Sequence, residues 1–248
     1  MAEQKAHKHF EMTWMEFQDK VKETPFAVLP VGALEQHGPH MPIGSDVLIA
    51  EYMAERIAEA TGFILLPALQ YTPSFSLRNF PGTMQMSDES CSQQLLEIAE
   101  SLARHGIKAT YLIIGHIGAI KACQTAERRL ILENESIRFV NIAMPGMQEA
   151  IQKYCTSQRW HSTYAHAEEF ETCALLAIRP ELVDMSKAVK EYPPKSILFG
   201  PISIAWDEFC QSGVIGDPTV ASAEKGKAIL DFMIGKALEI INAHQKSI

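Results

Sequence analysis

Four short aliphatic runs alternate with amphipathic helical patterns, and this alternation restricts the possible folds more than any other feature of the chain. The runs are "PFAVLPVG" (25–32), "FILLPAL" (63–69), "ATYLIIG" (109–115) and "IRFVNIA" (137–143). Continuous apolar runs of this length are typical of strands that are buried on both faces. The pattern therefore predicts an α/β/α sandwich with a largely parallel sheet and right-handed crossovers.

Helices are expected between the runs because apolar residues recur there at helical spacing. Segment 45–62 begins with Ser45 as the candidate cap and stops at Gly62, and segment 87–106 repeats this design. Further helices are expected after Gly118, at 168–178 and at 221–245. The 248 residues contain no repeat or low-complexity linker, so a single domain over 1–248 is predicted.

Composition excludes several classes of function. Acidic residues number 30 against 22 Lys and Arg, and the basic residues are not clustered, which argues against nucleic-acid and anionic-membrane partners. The sequence has neither an apolar leader nor an apolar stretch long enough to span a bilayer. Five cysteines without a C-x-x-C pair are typical of reduced intracellular thiols. We therefore expect a cytoplasmic protein.

Polar residues that can bind a metal follow two of the predicted strands. "GALEQHGPHMPIGSD" (32–46) contains Glu35, His37 and Asp46, and His116 comes directly after the third apolar run. In open α/β sheets, ligands collect outside the carboxyl ends of the strands, so these side chains are expected to converge. Two carboxylates and two histidines form the mixed oxygen and nitrogen set that zinc, manganese or iron accepts.

Each of these residues also has a purely structural explanation. Asp46 could simply complement the positive end of a helix, and His116 could be a buried histidine with its hydrogen bonds satisfied. His40 is predicted to be a turn residue. The metal interpretation therefore depends on the joint pattern and not on any one residue.

A further candidate segment is "HAEEFET" (166–172). His166 and Glu169 are three residues apart and share a helix face if the helix has begun by then, while Glu168 and Glu171 would point elsewhere. For three other residues, a role at a pocket and a purely structural role both stay open. Arg78 and Asn79 are polar residues that could face a pocket or form a solvated loop, and Trp160 could cover a pocket or simply pack.

These segments resemble the creatininase (creatinine amidohydrolase) family of metal-dependent hydrolases. "LPVGALEQHGPHMPIGSD" (29–46) is similar to the opening E-x-H-G-x-H-L-P-x-x-x-D motif of that family, "GHIG" (115–118) to its N-G-H-G-G-N loop, and "HAEEFET" to its H-A-G-E-x-E-T motif. "FPGT" (80–83) and "GVIGDPTVASAEKG" (213–226) also match. The resemblance covers about 25–240 and implies a parallel-rich α/β fold, a small-molecule substrate and hexamers built from dimers.

The resemblance also implies a site with two divalent ions of zinc, manganese or iron. One ion would be held by Glu35, Asp46 and His116, and the other by His37, Glu169 and the second oxygen of a bridging Asp46. Glu168, which stands where the family usually has Gly, is the alternative to Glu169. His40 has no ligand role in this scheme.

The implied reaction is the opening of a cyclic amide, or cleavage of a similar non-peptide C–N bond in a small polar metabolite, by a metal-bound water. His166 is the candidate general acid for the leaving group, and the alternative is that it orients a ligand carboxylate. Other possible functions are C–C cleavage in a cyclic polyol ketone, a non-catalytic metal-binding role, and a metal-free binding module.

Several positions depart from the family pattern, and they lie where substrate contacts are expected. They are Ile114, Ile117, Gly118, Ala119 and Ile120 in the loop at 114–120, and Ser76 and Leu77 in place of a common E-H pair. Creatininase takes a metal-binding Glu where this chain has Gly118, so creatinine is not the expected substrate. The apolar face of the last helix, which includes Ile229 and Met233, could serve assembly or cover its own sheet.

Overall fold

The structure is a computed structural model that describes residues 5–133, 136–162, 164–195 and 197–248. Its strands form one parallel sheet in the order β1-β3-β2-β4-β5. They are β1 (His7–Lys8), β2 (Phe26–Val31), β3 (Ile64–Leu65), β4 (Ala109–Ile114) and β5 (Arg138–Ala143). The central strands β2 and β4 pair in register from Phe26 opposite Ala109 to Val31 opposite Ile114. The predicted parallel α/β architecture is confirmed.

Helices cover both faces of the sheet. They are α1 (Trp14–Glu23), α2 (Ser45–Thr61), α3 (Asp88–Arg104), α4 (Ile120–Glu133), α5 (Met147–Tyr154), α6 (Glu169–Ile178) and α7 (Ala223–Gln245). Val28 and Tyr111 point into a core shared with α2, α5, α6 and α7, whereas Leu29 and Leu112 point into a core shared with α1, α3 and α4. Successive strand residues face opposite layers, so the central strands are apolar throughout.

Among the strands and α-helices of the described residues, β1, α1 and α5 were not predicted from the sequence. The run at 63–69 forms only the two-residue strand β3. The predicted cap Ser87 accepts a hydrogen bond from Ser90 N, as expected, but Ser45 is not a cap. Gly44 holds the cap position of α2, and the Ser45 hydroxyl donates to Pro42 O at 2.6 Å. No helix among the described residues is both long and apolar enough to cross a membrane.

Two glycines let α2 begin directly against the ends of the central strands. A Cβ on Gly32, just after β2, would lie 2.5 Å from Val47 Cα. A Cβ on Gly115, just after β4, would lie 3.0 Å from the Asp46 carbonyl oxygen. Because both positions lack a side chain, the first turn of α2 reaches the carboxyl edge of the sheet and brings Asp46 there.

Candidate metal centre

The four polar residues predicted to converge at the strand ends lie together and are buried. Asp46 is central: its Oδ1 lies 3.1 Å from His37 Nε2 and its Oδ2 lies 2.9 Å from His116 Nδ1. His116 Nδ1 is also 3.2 Å from Glu35 Oε1. Glu35 and His37 follow β2, His116 follows β4, and Asp46 lies in the first turn of α2. Each oxygen of one aspartate thus faces a different histidine.

Glu171, in the first turn of α6, contributes the next carboxylate. Its Oε2 lies 3.9 Å from His37 Nε2 and accepts a hydrogen bond from Ala167 N at 2.5 Å. Ala167 has a positive φ of 51°, so the chain turns sharply between His166 and the start of α6. This turn places His166 and Glu171 on the same side, facing the strand ends.

The structure does not bring the predicted ligand Glu169 into this cluster. Its carboxylate is fully buried and accepts hydrogen bonds from Thr156 N at 2.8 Å and Ser157 N at 2.6 Å, and Lys225 Nζ lies 2.6 Å away. The resemblance implied Glu169 as a ligand, and the spacing placed it on the same face as His166 only if the helix had begun by then, but α6 begins at Glu169. Glu168, the alternative, is buried at the cap position and also lies outside the cluster.

Three histidines in the site each have one ring nitrogen hydrogen-bonded to a backbone carbonyl. The pairs are His37 Nδ1 with Glu35 O at 3.1 Å, His116 Nε2 with Pro73 O at 2.8 Å, and His166 Nε2 with Gln36 O at 2.7 Å. A carbonyl oxygen only accepts, so these nitrogens carry the hydrogen. In the neutral rings, the second nitrogen then has a free lone pair, and that nitrogen faces the carboxylates.

This arrangement fits divalent metal ions. A histidine lone pair facing a carboxylate oxygen across about 3 Å of buried space needs a cation between them, since two acceptors repel. Asp46 Oδ2 is buried and faces His116 Nδ1 at 2.9 Å without the geometry of a hydrogen bond. Within the described part of the chain, donor atoms converge closely enough for a metal in three sets: Glu35/Asp46/His116, His37/Asp46/Glu171 and Glu35/His37/His166. The first two sets share Asp46, as a bridging carboxylate would.

The electrostatics of the cluster favour positive charge at the same positions. Burial lowers the pKa of His37, but the neighbouring Asp46 carboxylate outweighs this and raises that pKa to about 10. Burial likewise opposes a charge on His116, yet Glu35 and Asp46 raise its pKa well above the usual range. Burial raises the pKa of Glu171 to about 7, although the nearby His37 acts in the opposite direction. Protons on these histidines therefore occupy the positions that cations would take.

His166 differs from the other two histidines because it faces fewer carboxylates. Its Nδ1 lies 3.9 Å from Glu35 Oε1, and its ring contacts His37 at a centroid distance of 4.4 Å and Trp206 at 5.5 Å. Burial, followed by the charge on His37, lowers the pKa of His166 to about 4. The ring is therefore neutral at neutral pH, with Nδ1 available to accept a proton.

A cavity of about 330 Å³ opens from the metal ligands. Its wall is formed by the segments 73–77 and 115–118, together with Asp88, Lys121, Tyr164, Ala165 and Trp206. Tyr164 and Trp206 were missed in the sequence. Trp160 instead packs against Phe209 and donates Nε1–H to Pro193 O, so its packing interpretation is the one the structure supports.

The other polar candidates lie away from the cavity. Arg78 sits over the Phe75 ring at 4.0 Å and donates to the Phe75 carbonyl, and Asn79 donates to the Asp207 carboxylate. His40 hydrogen-bonds Thr172 Oγ1 at 3.0 Å and, among the residues that the structure describes, belongs to none of the three donor sets.

The altered loop at 114–120 divides into core and cavity positions. Ile114 and Ala119 are buried in the apolar core, and only Ile117 and Gly118 of the altered positions line the cavity. A Cβ on Gly118 would lie 2.4 Å from both His116 Nε2 and Pro73 O. In this chain an added side chain would therefore shift the His116 ring or the Pro73 carbonyl to which its Nε2 is bonded.

Segment 213–226, which resembles the family, contacts residues that hold His166 in place. Gln36 Nε2 donates to Gly213 O at 3.0 Å, and a Cβ on Gly213 would collide with the Gln36 side chain. Gln36 provides the carbonyl that holds His166, and Ile215 N donates to His166 O at 2.9 Å. The segment thus fixes His166 through both its side chain and its backbone.

Comparison with known proteins identifies the family of this chain. The model of the creatininase family, described as creatinine amidohydrolase, matches residues 10–241. The chain is 29% identical to creatinine amidohydrolase of Pseudomonas putida, covering 90% of this chain and 92% of the relative. It is 26% identical to 3-dehydro-scyllo-inosose hydrolase of Thermotoga maritima, covering 90% and 79%. A solved structure of creatininase with Mn superposes with a TM-score of 0.84 at 27% identity, covering 97% and 99%.

Proposed function

The chain belongs to the creatininase family of metal-dependent amidohydrolases, and on that basis we propose a hydrolase with two divalent metal ions that opens a cyclic amide or cleaves a similar non-peptide C–N bond in a small polar metabolite. The observation that carries the proposal is the position of Asp46. Its two oxygens face two histidines on opposite sides, at 3.1 Å and 2.9 Å. One carboxylate shared between two donor sets is typical of a paired metal site.

In this proposal the ligands differ by one residue from those expected from the sequence. Glu35, Asp46 and His116 would hold one ion, and His37, Asp46 and Glu171 would hold the other, since the donor atoms of each set converge. Glu171 takes the place predicted for Glu169 because its carboxylate faces His37, whereas that of Glu169 faces Lys225. Imidazole and carboxylate ligands suit zinc, manganese and iron alike.

Two divalent ions in such a site supply a water of lowered pKa and polarise the bond that is cleaved. The residues of the chain then supply the proton transfer. His166 accepts the proton of the attacking water at Nδ1 and passes it to the departing nitrogen, and its Nε2–H bond to Gln36 O holds the ring in this orientation. Trp206 covers the His166 ring and excludes bulk water from it.

The test combines metal analysis with a substrate screen on the same preparation. The protein is expected to contain about two divalent ions per chain and to hydrolyse at least one small cyclic amide when loaded with zinc, manganese or iron. A protein that takes up no metal would contradict the proposal. Metal uptake with cleavage of a cyclic polyol ketone would favour C–C hydrolysis, and metal uptake without any turnover would favour a non-catalytic role.

Assembly and location are also proposals. Residues Ile229 and Met233 of α7 are buried in the core of their own subunit, so this face gives no support for assembly. Exposed apolar side chains at the N-terminal side, Phe10, Trp14 and Met15, are the better candidates for a contact between subunits. We propose a homo-oligomer in the cytoplasm, and sedimentation that gives a species of 27.6 kDa would contradict the oligomer.

A further inference from the structure

The wall of the cavity contains a single fixed cation among the described residues that line it, Lys121. Lys121 lies in the first turn of α4, directly after the segment that carries His116. Its side chain is 79% exposed although it lines the cavity, so its ammonium group stands at the mouth. The candidate metal ligands that line the cavity are buried and form its inner part. A substrate that fills the cavity therefore has one end at the reacting centre and the other near this ammonium group.

Lys121 is held in place by an ion pair that a ligand can exchange. Its Nζ lies 2.5 Å from Asp88 Oδ2, and Asp88 also lines the cavity. The Asp88 side chain is 29% exposed, so the pair is in contact with water and contributes little stability. An incoming carboxylate can take the place of Asp88 at small cost, because Lys121 keeps a partner throughout.

A second observation shows that the same wall is prepared for a polar ligand. Ser74 is 3% exposed, lines the cavity, and its Oγ has no hydrogen-bond partner among the described residues. The backbone of Ser74 is fixed, since Ser74 N donates to Gln85 Oε1 at 2.6 Å. Buried hydroxyls are nearly always paired, so this unpaired hydroxyl behind the cavity lining is available to a ligand group that reaches it.

The balance of charge favours an anionic ligand over a cationic one. With two divalent ions, the three ligand carboxylates leave the inner end of the cavity with a net positive charge, while Lys121 and Asp88 balance each other at the mouth. Apart from His116, the loop residues 115–118 carry no charge. A cavity with this balance attracts anions and repels cations.

We propose that the substrate is a small molecule that carries a carboxylate, which Lys121 binds at the mouth while Ser74 donates a hydrogen bond to the body of the molecule. This inference rests on the proposed hydrolase function, since it takes the metal end of the cavity as the place of the reacting bond. It makes Lys121 the residue that selects the charge of the substrate.

The test measures binding by calorimetry, independently of turnover, with matched pairs of small cyclic amides. One pair is pyrrolidone and pyroglutamate, and the other is hydantoin and hydantoin acetate; in each pair the members differ by a carboxylate. The metal-loaded protein is expected to bind the carboxylate member more tightly in at least one pair. Lys121→Met should reduce this preference by about three- to tenfold, and Lys121→Arg should retain it.

Asp88→Asn is expected to change the preference for the carboxylate member in the direction opposite to Lys121→Met. It removes the competing carboxylate, so the preference for the anionic member should rise. Ser74→Ala should weaken both members by a similar factor and leave their ratio unchanged. The matched control is Lys227→Met, which removes a lysine that is also paired with an aspartate, Asp231, at 2.6 Å but lies outside the cavity wall.

Two results would overturn the inference. One is equal affinity for both members of each pair, or binding of neither member at millimolar concentration, in the unmodified protein. The other is a preference that Lys121→Met leaves unchanged. Failure of the proposed hydrolase function would be seen separately, as absence of metal uptake or of amide hydrolysis, because the ratio of affinities requires no turnover.

Discussion

The floor and the wall of the cavity are built from different kinds of backbone. The floor consists of metal-ligand candidates at strand ends and in the first turns of helices, each buried and several held by a second hydrogen bond. Most of the wall consists of short 3-10 segments, Phe75–Leu77, Ile117–Ala119 and Trp206–Glu208, and of the loop that carries Tyr164. Asp88 and Lys121 are added to it from the first turns of α3 and α4. The 3-10 segments and the loop can change without disturbing the sheet. The candidate metal ligands therefore lie on the regular elements of the fold, whereas most of the wall lies on segments that can vary.

The same contrast appears within one helical turn. Glu169 and Glu171 are two residues apart, so they lie on nearly opposite sides of α6. Glu171 faces His37 and belongs to the floor, whereas Glu169 ties α6 to the segment at 155–157 and to Lys225 of α7. The Glu171 carboxylate is the candidate metal ligand, and the Glu169 carboxylate holds the helical turn that carries Glu171.

The strongest test of the floor is Asp46→Asn, which keeps the size of the side chain and removes its charge. Because each oxygen of Asp46 faces a different histidine, both metal ions are expected to be lost together, and activity with them. Metal content per chain, measured by elemental analysis, is the readout. Asp19→Asn on the surface of α1 is the matched control. A full complement of metal in Asp46→Asn would refute the bridging role.

Single substitutions of the two glutamates of α6 distinguish the metal-binding role from the structural role. Glu171→Gln should lower the content by about one ion per chain, because only the His37 set includes it. Glu169→Gln should retain both ions and instead lower the free energy of unfolding by about 1–3 kcal/mol, since Lys225 and two backbone amides lose a charged acceptor. Elemental analysis and denaturant unfolding of both variants would expose a reversed assignment.

Much of the floor could be predicted from the sequence because strands and helix starts are local features. Glu35, His37, Asp46 and His116 follow apolar runs, and parallel strands bring their carboxyl ends to one edge. Glu171 could not be predicted in the same way. The spacing argument assumed a helix from residue 166, whereas the left-handed Ala167 delays its start and rotates the carboxylates relative to His166.

The wall could be predicted much less well. Trp206 contacts the ring of His166 although it lies 40 residues later in the chain, in a segment with no periodic pattern. The missed elements were short or peripheral: β1 has two residues, and α5 has eight. For α1 a signal was present, since Thr13 and Glu16 form a capping box at its start. A segment of two to eight residues is too short to show a clear hydrophobic period, and a contact between residues far apart in the chain leaves no local sequence pattern. Neither could therefore be predicted from the sequence alone.

His166 lies between the metal-ligand candidates and the cavity wall. Its substitution tests whether it transfers a proton or binds a metal ion. His166→Gln and His166→Ala should keep the metal content and reduce turnover by roughly 10²–10⁴-fold, the usual contribution of acid–base catalysis. Metal content and turnover are measured on the same samples once a substrate is found. Loss of one ion would instead make His166 a ligand, in line with the third donor set, and undiminished turnover would remove it from the proton transfer.

The smallest expected effect comes from Gly118, where the wall touches the floor. A methyl group there would lie 2.4 Å from His116 Nε2 and from Pro73 O, and therefore between a metal ligand and the carbonyl that orients it. Gly118→Ala should keep the fold and lower metal affinity by about 10- to 100-fold, the usual cost of losing such a supporting contact. Competition with a metal-binding dye measures this change.

Gly235→Ala is the control, because Gly235 lies in the middle of α7 with nothing within 4 Å of the added methyl group. It should leave metal affinity unchanged and stabilise the protein by up to about 1 kcal/mol, because alanine has the higher helix propensity. Equal metal affinity in both variants would show that the His116 ring is held without the Pro73 bond.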